Sequence, residues 1–126
     1  MMKIGFIGTG NMGGALASAA ARSGEGEVLL ANRTKAKAEA LAERIGAIVS
    51  SNETVAREAD CIFLGVKPQM IVEVLTGIAP ALRERESAPL LVSMVTGPSI
   101  ARIQELAGGD YPVIRIMPNM PAAVGE

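Results

Sequence analysis

The sequence predicts an α/β domain in which a doubly wound, mostly parallel sheet of about six strands carries helices on both faces. Two observations predict it. Short apolar runs alternate with amphipathic stretches along all 126 residues, the rhythm of strand–helix–strand units whose strands lie parallel. The first apolar run stops at Gly8-Thr9-Gly10-Asn11-Met12-Gly13, a glycine-rich turn where a helix should begin. The length suits one domain, 1–126.

The elements follow in order. Lys3 to Ile7 is a short apolar strand ending at glycine. Asn11 to Ser23 places Met12, Leu16, Ala19 and Ala20 at helical spacing. Glu27 to Ala31 is a second strand. Thr34 to Ile45 is an amphipathic helix, with Ala38, Leu41, Ala42 and Ile45 on one face and Lys35, Glu39 and Glu43 outside. Ala47 to Val49 is a short third strand, and Asn52 to Glu58 a helical turn or two. Cys61 to Val66 is a fourth strand, apolar throughout, as a strand covered on both faces should be. Pro68 opens a helix through Leu75; Gly77 and Pro80 break it, and Pro80 starts a second short helix ending in Arg83-Glu84-Arg85-Glu86. Leu90 to Ser93 is a fifth strand, Pro98 to Leu106 a helix closed by Gly108-Gly109, and Val113 to Met117 a sixth strand. Met117 to Glu126, with two prolines and a glycine, reads as a loop leading onward.

Gly8, Gly10 and Gly13 fit the dinucleotide-binding pattern of a Rossmann-type fold. The first glycine permits a tight turn, the second lets backbone approach a pyrophosphate, and the third lets the helix pack close to the strand. The helix N-terminus adds unpaired N–H groups and a partial positive charge. At the end of the second strand, about 20 residues on, an NAD-binding domain places a carboxylate for the ribose hydroxyls. Here the stretch is Ala31-Asn32-Arg33-Thr34-Lys35, without one. Arg33 can pair with a 2′-phosphate through its planar fork, and Thr34 and Lys35 can add a hydroxyl and a second charge. The expected cofactor is NADP(H), with NADPH preferred over NADH. Thr34 also suits the N-cap of the following helix.

Composition limits the alternatives. A net charge of −1 argues against nucleic acid as the main partner. Phe6, Phe63 and Tyr111 are the only aromatics, too few for a stacking platform. No apolar run is long enough to span a bilayer, and the first residues lack the features of a signal peptide, so a cytoplasmic location is expected. There is no His, so no imidazole base or ligand, and the single Cys61 forms no cysteine cluster for a metal. Cys61 is expected to be a small core residue. No catalytic acid–base residue and no metal site is assigned.

Three more segments fall at strand ends, where open α/β sheets bind ligands. Val66-Lys67-Pro68-Gln69 follows the fourth strand; Lys67 suits orienting polar groups, or simply starts a helix. Ser93-Met94-Val95-Thr96-Gly97 closes the fifth. Arg115-Ile116-Met117-Pro118-Asn119-Met120-Pro121 closes the sixth, and an Asn between two prolines is a held amide able to donate and accept.

Taken together, Gly8-x-Gly10-x-x-Gly13, Asn32-Arg33-Thr34, Val66-Lys67-Pro68-Gln69 and Met117-Pro118-Asn119-x-Pro121-Ala122-x-Val124-Gly125 resemble pyrroline-5-carboxylate reductase. The resemblance covers the whole chain but only the cofactor-binding half of a typical member. It implies hydride transfer from NADPH to the C=N bond of pyrroline-5-carboxylate, giving L-proline in proline biosynthesis. It implies that Gly8, Thr9, Gly10, Asn11, Met12 and Gly13 hold the pyrophosphate and that Asn32, Arg33 and Thr34 meet the adenosine phosphate. Asn52, Val66, Lys67 and Pro68 then line the cleft, and Asn119 lies near the nicotinamide. Two positions depart from the family pattern: Thr96, where a small residue such as Ala is usual, and Met120, often Thr or Ser. Family members continue into a helical domain that dimerises and holds the substrate carboxylate. That domain is absent here, so a fragment is expected that binds cofactor without efficient turnover, with a homo-oligomer formed by the longer protein. Two other readings stay open: a related NADP-dependent enzyme of the β-hydroxyacid dehydrogenase or deazaflavin reductase type, and a non-catalytic NADPH-sensing module.

Overall fold

The computed structural model describes residues 2–8, 10–24 and 26–116, the side chains of 10–13 apart. Its elements run β1 (Met2–Ile7), α1 (Gly10–Ser23), β2 (Gly26–Ala31), α2 (Lys35–Ile45), β3 (Ile48–Val49), α3 (Asn52–Glu58), β4 (Cys61–Leu64), a 3-10 turn (Pro68–Met70), α4 (Ile71–Arg83), β5 (Leu90–Ser93), α5 (Ile100–Ala107) and β6 (Val113–Arg115). The six strands form one sheet in the order β3-β2-β1-β4-β5-β6. Every pairing is parallel, from Leu29↔Ile48 at one edge to Val92↔Ile114 at the other.

Alternation along each strand explains the continuous apolar runs. Phe6, Val28 and Leu30 pack with Ala17, Ala38, Leu41 and Ala42 of α1 and α2. Their neighbours Ile7, Leu29, Ile62, Leu64 and Leu91 pack into a second cluster with residues of α3, α4 and α5. A strand whose successive side chains enter two different cores has no polar face to show. Phe6 and Phe63 stack at 4.7 Å between ring centroids, 15° from parallel, joining β1 to β4. Ile48 and Ile114, on the two edge strands, stay about half exposed.

Helix ends follow local chemistry. Ser51 and Ser99 cap α3 and α5 by accepting from the N–H of Thr54 and Arg102. Gly46 and Gly108 end α2 and α5 in the left-handed conformation, with N–H groups returned to Ala42 and Gln104. Arg85 ties the α4–β5 loop to the end of α3, its Nη1 donating to the carbonyls of Ala56 at 2.8 Å and Ala59 at 2.7 Å.

The expected break at Gly77 and Pro80 does not occur. α4 runs unbroken through both, with Pro80 inside it. Its buried face carries Ile71, Val74, Leu75, Ile78, Ala79, Ala81 and Leu82. Burying the four large side chains Ile71, Leu75, Ile78 and Leu82 is worth roughly 6–12 kcal/mol, against about 3 for an interior proline and about 1 for a glycine. Thr76 and Pro80 are both exposed, so the Thr76 carbonyl that loses its helical donor faces water. The fourth strand also ends earlier than its apolar run, at Leu64, because Gly65 and Val66 turn away to shape the cleft. The sixth strand ends at Arg115, one residue before Ile116, whose N–H still donates to Ser93 O at 2.8 Å; Met117, the last residue of its expected span, lies outside the described residues. Cys61 is half-buried and belongs to neither core. It sits at the amino end of β4, where burial, with a smaller push from Asp60, raises its thiol above the ordinary range.

Candidate functional site

The strand order creates the site. The chain steps outward from β1 to β2 and β3, then returns to lay β4 against the other side of β1. Helices leaving β1 and β4 therefore diverge, and a crevice opens at the carboxyl ends of these strands. A cleft of about 1050 Å³ lies there. Ile7 at the end of β1 and Gly8 just after it, Asn32, Arg33 and Thr34 after β2, Ser51 and Asn52 before and within α3, and Gly65, Val66 and Lys67 after β4 all line it.

Bare backbone forms its centre. Gly8 has φ 79°, which side-chain-bearing residues rarely adopt. A Cβ on Gly8 would lie 2.8 Å from Val66 Cγ1 and 2.9 Å from the carbonyl carbon of Gly65. A Cβ on Gly65 would lie 2.6 Å from the Gly8 oxygen. The ends of β1 and β4 thus touch through two glycines, with Gly65 N–H donating to Ile7 O at 2.9 Å between them, while Gly8 N–H ties the turn to β2 by donating to Ala31 O at 2.7 Å. Gly10, Asn11, Met12 and Gly13 form the first turn of α1, whose N–H groups have no partners within the helix. Thr9 lies outside the described residues, as does Asn119.

The β2 end of the cleft is cationic. Thr34 occupies the N-cap of α2, but its side chain makes no capping bond. The first turn of α2 holds no acidic residue; it holds Lys35 and Lys37. Lys37 lines the cleft, and Lys35, the lysine expected to add a second charge, does not. Arg33 reaches across from the β2–α2 loop to the 3-10 turn, its Nη1 3.7 Å from Met70 Sδ. A thioether is a weak acceptor, which a phosphate or carboxylate displaces readily. Glu53 and Glu73 also line the cleft. The Glu53 carboxylate lies 3.4 Å from Arg57.

On the β4 side, Lys67 is extended before Pro68, as the proline ring requires. Pro68 opens the 3-10 turn and does not itself line the cleft, contrary to expectation. Met70 and Val74 carry the lining onward as an apolar wall that the sequence reading did not assign. At the end of β5, Ser93 is buried and its Oγ accepts the Val95 N–H at 3.2 Å, so it shapes the turn beyond the strand. Among the described residues, no group of three or more His, Cys, Asp or Glu is placed to hold a metal ion. No helix among them is long and apolar enough to cross a membrane.

The family model described as NADP oxidoreductase coenzyme F420-dependent matches residues 3–97. The chain belongs to this family. The match runs from β1 to the turn after β5, so it describes the domain that carries the cleft and stops before the Met117-Pro118-Asn119 segment. Relatives that align along the whole chain are more specific. A pyrroline-5-carboxylate reductase of Corynebacterium melassecola is 40% identical over 129 residues, covering 100% of this chain and 48% of the relative. Among solved structures, a pyrroline-5-carboxylate reductase from Coxiella burnetii superposes with a TM-score of 0.78 at 28% identity, covering 96% of this chain and 45% of that one. The Plasmodium falciparum pyrroline carboxylate reductase, solved with NADP bound, gives 0.74 at 32% identity, covering 99% and 45%. The chain spans about half the length of the relatives it matches.

Proposed function

We propose that the cleft holds NADP(H) and that the chain is the cofactor-binding part of a pyrroline-5-carboxylate reductase, which reduces the C=N bond of pyrroline-5-carboxylate to L-proline. The observation that carries this reading is 40% identity to such an enzyme along the full chain, joined to a cleft of the right chemistry. The residues fit a dinucleotide phosphate. Gly8 and Gly65 leave bare backbone, and the α1 N-terminus follows directly, as a pyrophosphate requires. Arg33 and Lys37 line the end of the cleft beyond β2, as a 2′-phosphate requires.

When bound, the reduced nicotinamide supplies a hydride; the substrate carbon accepts it, and the imine nitrogen gains a proton. The chain's part is alignment. A protonated imine is already electrophilic, so orientation carries much of the barrier, and a chain without a single His is no obstacle. Lys67 and Asn52 orient polar groups within the cleft, Gly8 to Gly13 hold the pyrophosphate, and the resemblance gives Asn119 the nicotinamide. The longer enzyme acts in the cytoplasm as a homo-oligomer, with the substrate carboxylate held by the helical domain that the resemblance implies.

The family description favours one second reading, hydride exchange between NADPH and a deazaflavin. One assay separates them. NADPH oxidation is followed with pyrroline-5-carboxylate and with a deazaflavin, on this chain and on this chain joined to the carboxyl-terminal half of the Corynebacterium melassecola relative. Turnover of pyrroline-5-carboxylate by the joined protein is the expected result. Turnover of the deazaflavin alone would transfer the assignment to the second reading.

A further inference from the structure

We infer that Lys37 is a specificity-determining residue of the cleft, acting with Arg33 as the second cation on the 2′-phosphate of the cofactor. The inference rests on the NADP(H) reading above and adds a residue to it. Neither sequence pattern nor resemblance marks Lys37. Its position in the fold does.

Three observations converge on it. Lys37 lines the cleft together with Arg33 and Thr34, whereas Lys35 does not, although it is nearer in sequence. The first turn of α2 holds two lysines and no carboxylate. Cations there oppose the positive end of the helix dipole, an arrangement that an incoming anion relieves. Three groups at this end, Thr34, Lys37 and Arg33, are weakly engaged among the described residues. The Thr34 side chain caps nothing, no ion pair engages Lys37 among the described residues, and Arg33 meets only the weak sulfur acceptor of Met70.

The chemistry follows from the difference between the two cofactors. NADH places two ribose hydroxyls near Arg33 and Thr34. NADPH replaces one of them with a phosphate of nearly two negative charges. A planar guanidinium can take two of its oxygens, which leaves the third for a point charge approaching from the helix side. Lys37 stands there, and the α2 N–H groups reinforce it. Glu53 and Glu73 line the same cleft. Without Lys37, Arg33 alone would face their combined repulsion of the phosphate.

The test titrates NADPH and NADH binding on the chain carrying Lys37→Gln, Lys35→Gln or Lys37→Arg, with adenosine 2′-monophosphate and 5′-monophosphate as fragments. Loss of one charge-assisted contact is expected to weaken NADPH and the 2′-monophosphate about tenfold in Lys37→Gln, leaving NADH and the 5′-monophosphate unchanged. Lys37→Arg should restore most of the loss, and Lys35→Gln should have no effect. Raised salt should narrow the difference between wild type and Lys37→Gln. Equal losses for Lys35→Gln and Lys37→Gln, or none for either, would overturn the inference. A wild type that binds NADPH no better than NADH would instead overturn the NADP(H) reading beneath it.

Discussion

At the scale of single residues, the cleft rests on what is missing as much as on what is present. Gly8 and Gly65 meet because neither has a Cβ, and Arg33 reaches over the cleft because no carboxylate follows β2. The first glycine was legible because its motif has fixed spacing. Gly65 was not, since it ends an apolar run that reads as strand. The lysine choice was hidden for a geometric reason. With Thr34 as N-cap, Lys35 and Lys37 are the first and third helical residues, and two steps of an α-helix turn the side chain by about 200°. The one nearer in sequence therefore points away from the cleft. Arg33 carries the main prediction at this scale. Arg33→Ala should lower the NADPH over NADH preference by about ten- to a hundredfold, the worth of one charge-assisted contact. Parallel titrations with both cofactors check this, and an unchanged ratio would remove Arg33 from the phosphate site.

At the scale of elements, the order of helices and strands and the number of strands could be read from apolar runs and their breakers. The failure at α4 shows the limit of breakers. Gly77 and Pro80 mark an end only when nothing stronger holds the backbone, and a face of seven buried residues holds it here. Periodicity carried the stronger signal, since Ile71, Val74, Leu75, Ile78 and Leu82 keep helical spacing across both residues. A mutation separates the two effects. Pro80→Ala should restore the bond from its N–H to the Thr76 carbonyl and remove the ring clash, stabilising the domain by roughly 1–2 kcal/mol after the greater freedom of the unfolded chain is counted. Urea denaturation measures it. A destabilised variant would mean that the proline ring itself contributes packing, and that the helix is shaped around it.

At the scale of the whole molecule, one cleft is shared by both wings of the sheet. Gly8 follows β1, the cations belong to the β2 wing, and Val66, Lys67, Met70 and Val74 belong to the β4 wing. The wings are joined through parallel pairing of β1 with β4 and through the stacked Phe6 and Phe63. A dinucleotide lying across the junction contacts both wings at once, so its binding energy opposes their separation and should appear as global stability. The amount follows from mass action. At a hundred times its dissociation constant, NADPH should raise the unfolding free energy by about 2.7 kcal/mol. NADH at the same concentration should add less, because its weaker binding places that concentration nearer its own dissociation constant. Denaturation with each cofactor tests this, and the shape of the curve carries further information. A single transition that moves as one means that the ligand bridges the wings. A curve that splits in two, with only the early part moving, would place the cofactor on one wing alone and would disprove a site built across the junction of β1 and β4.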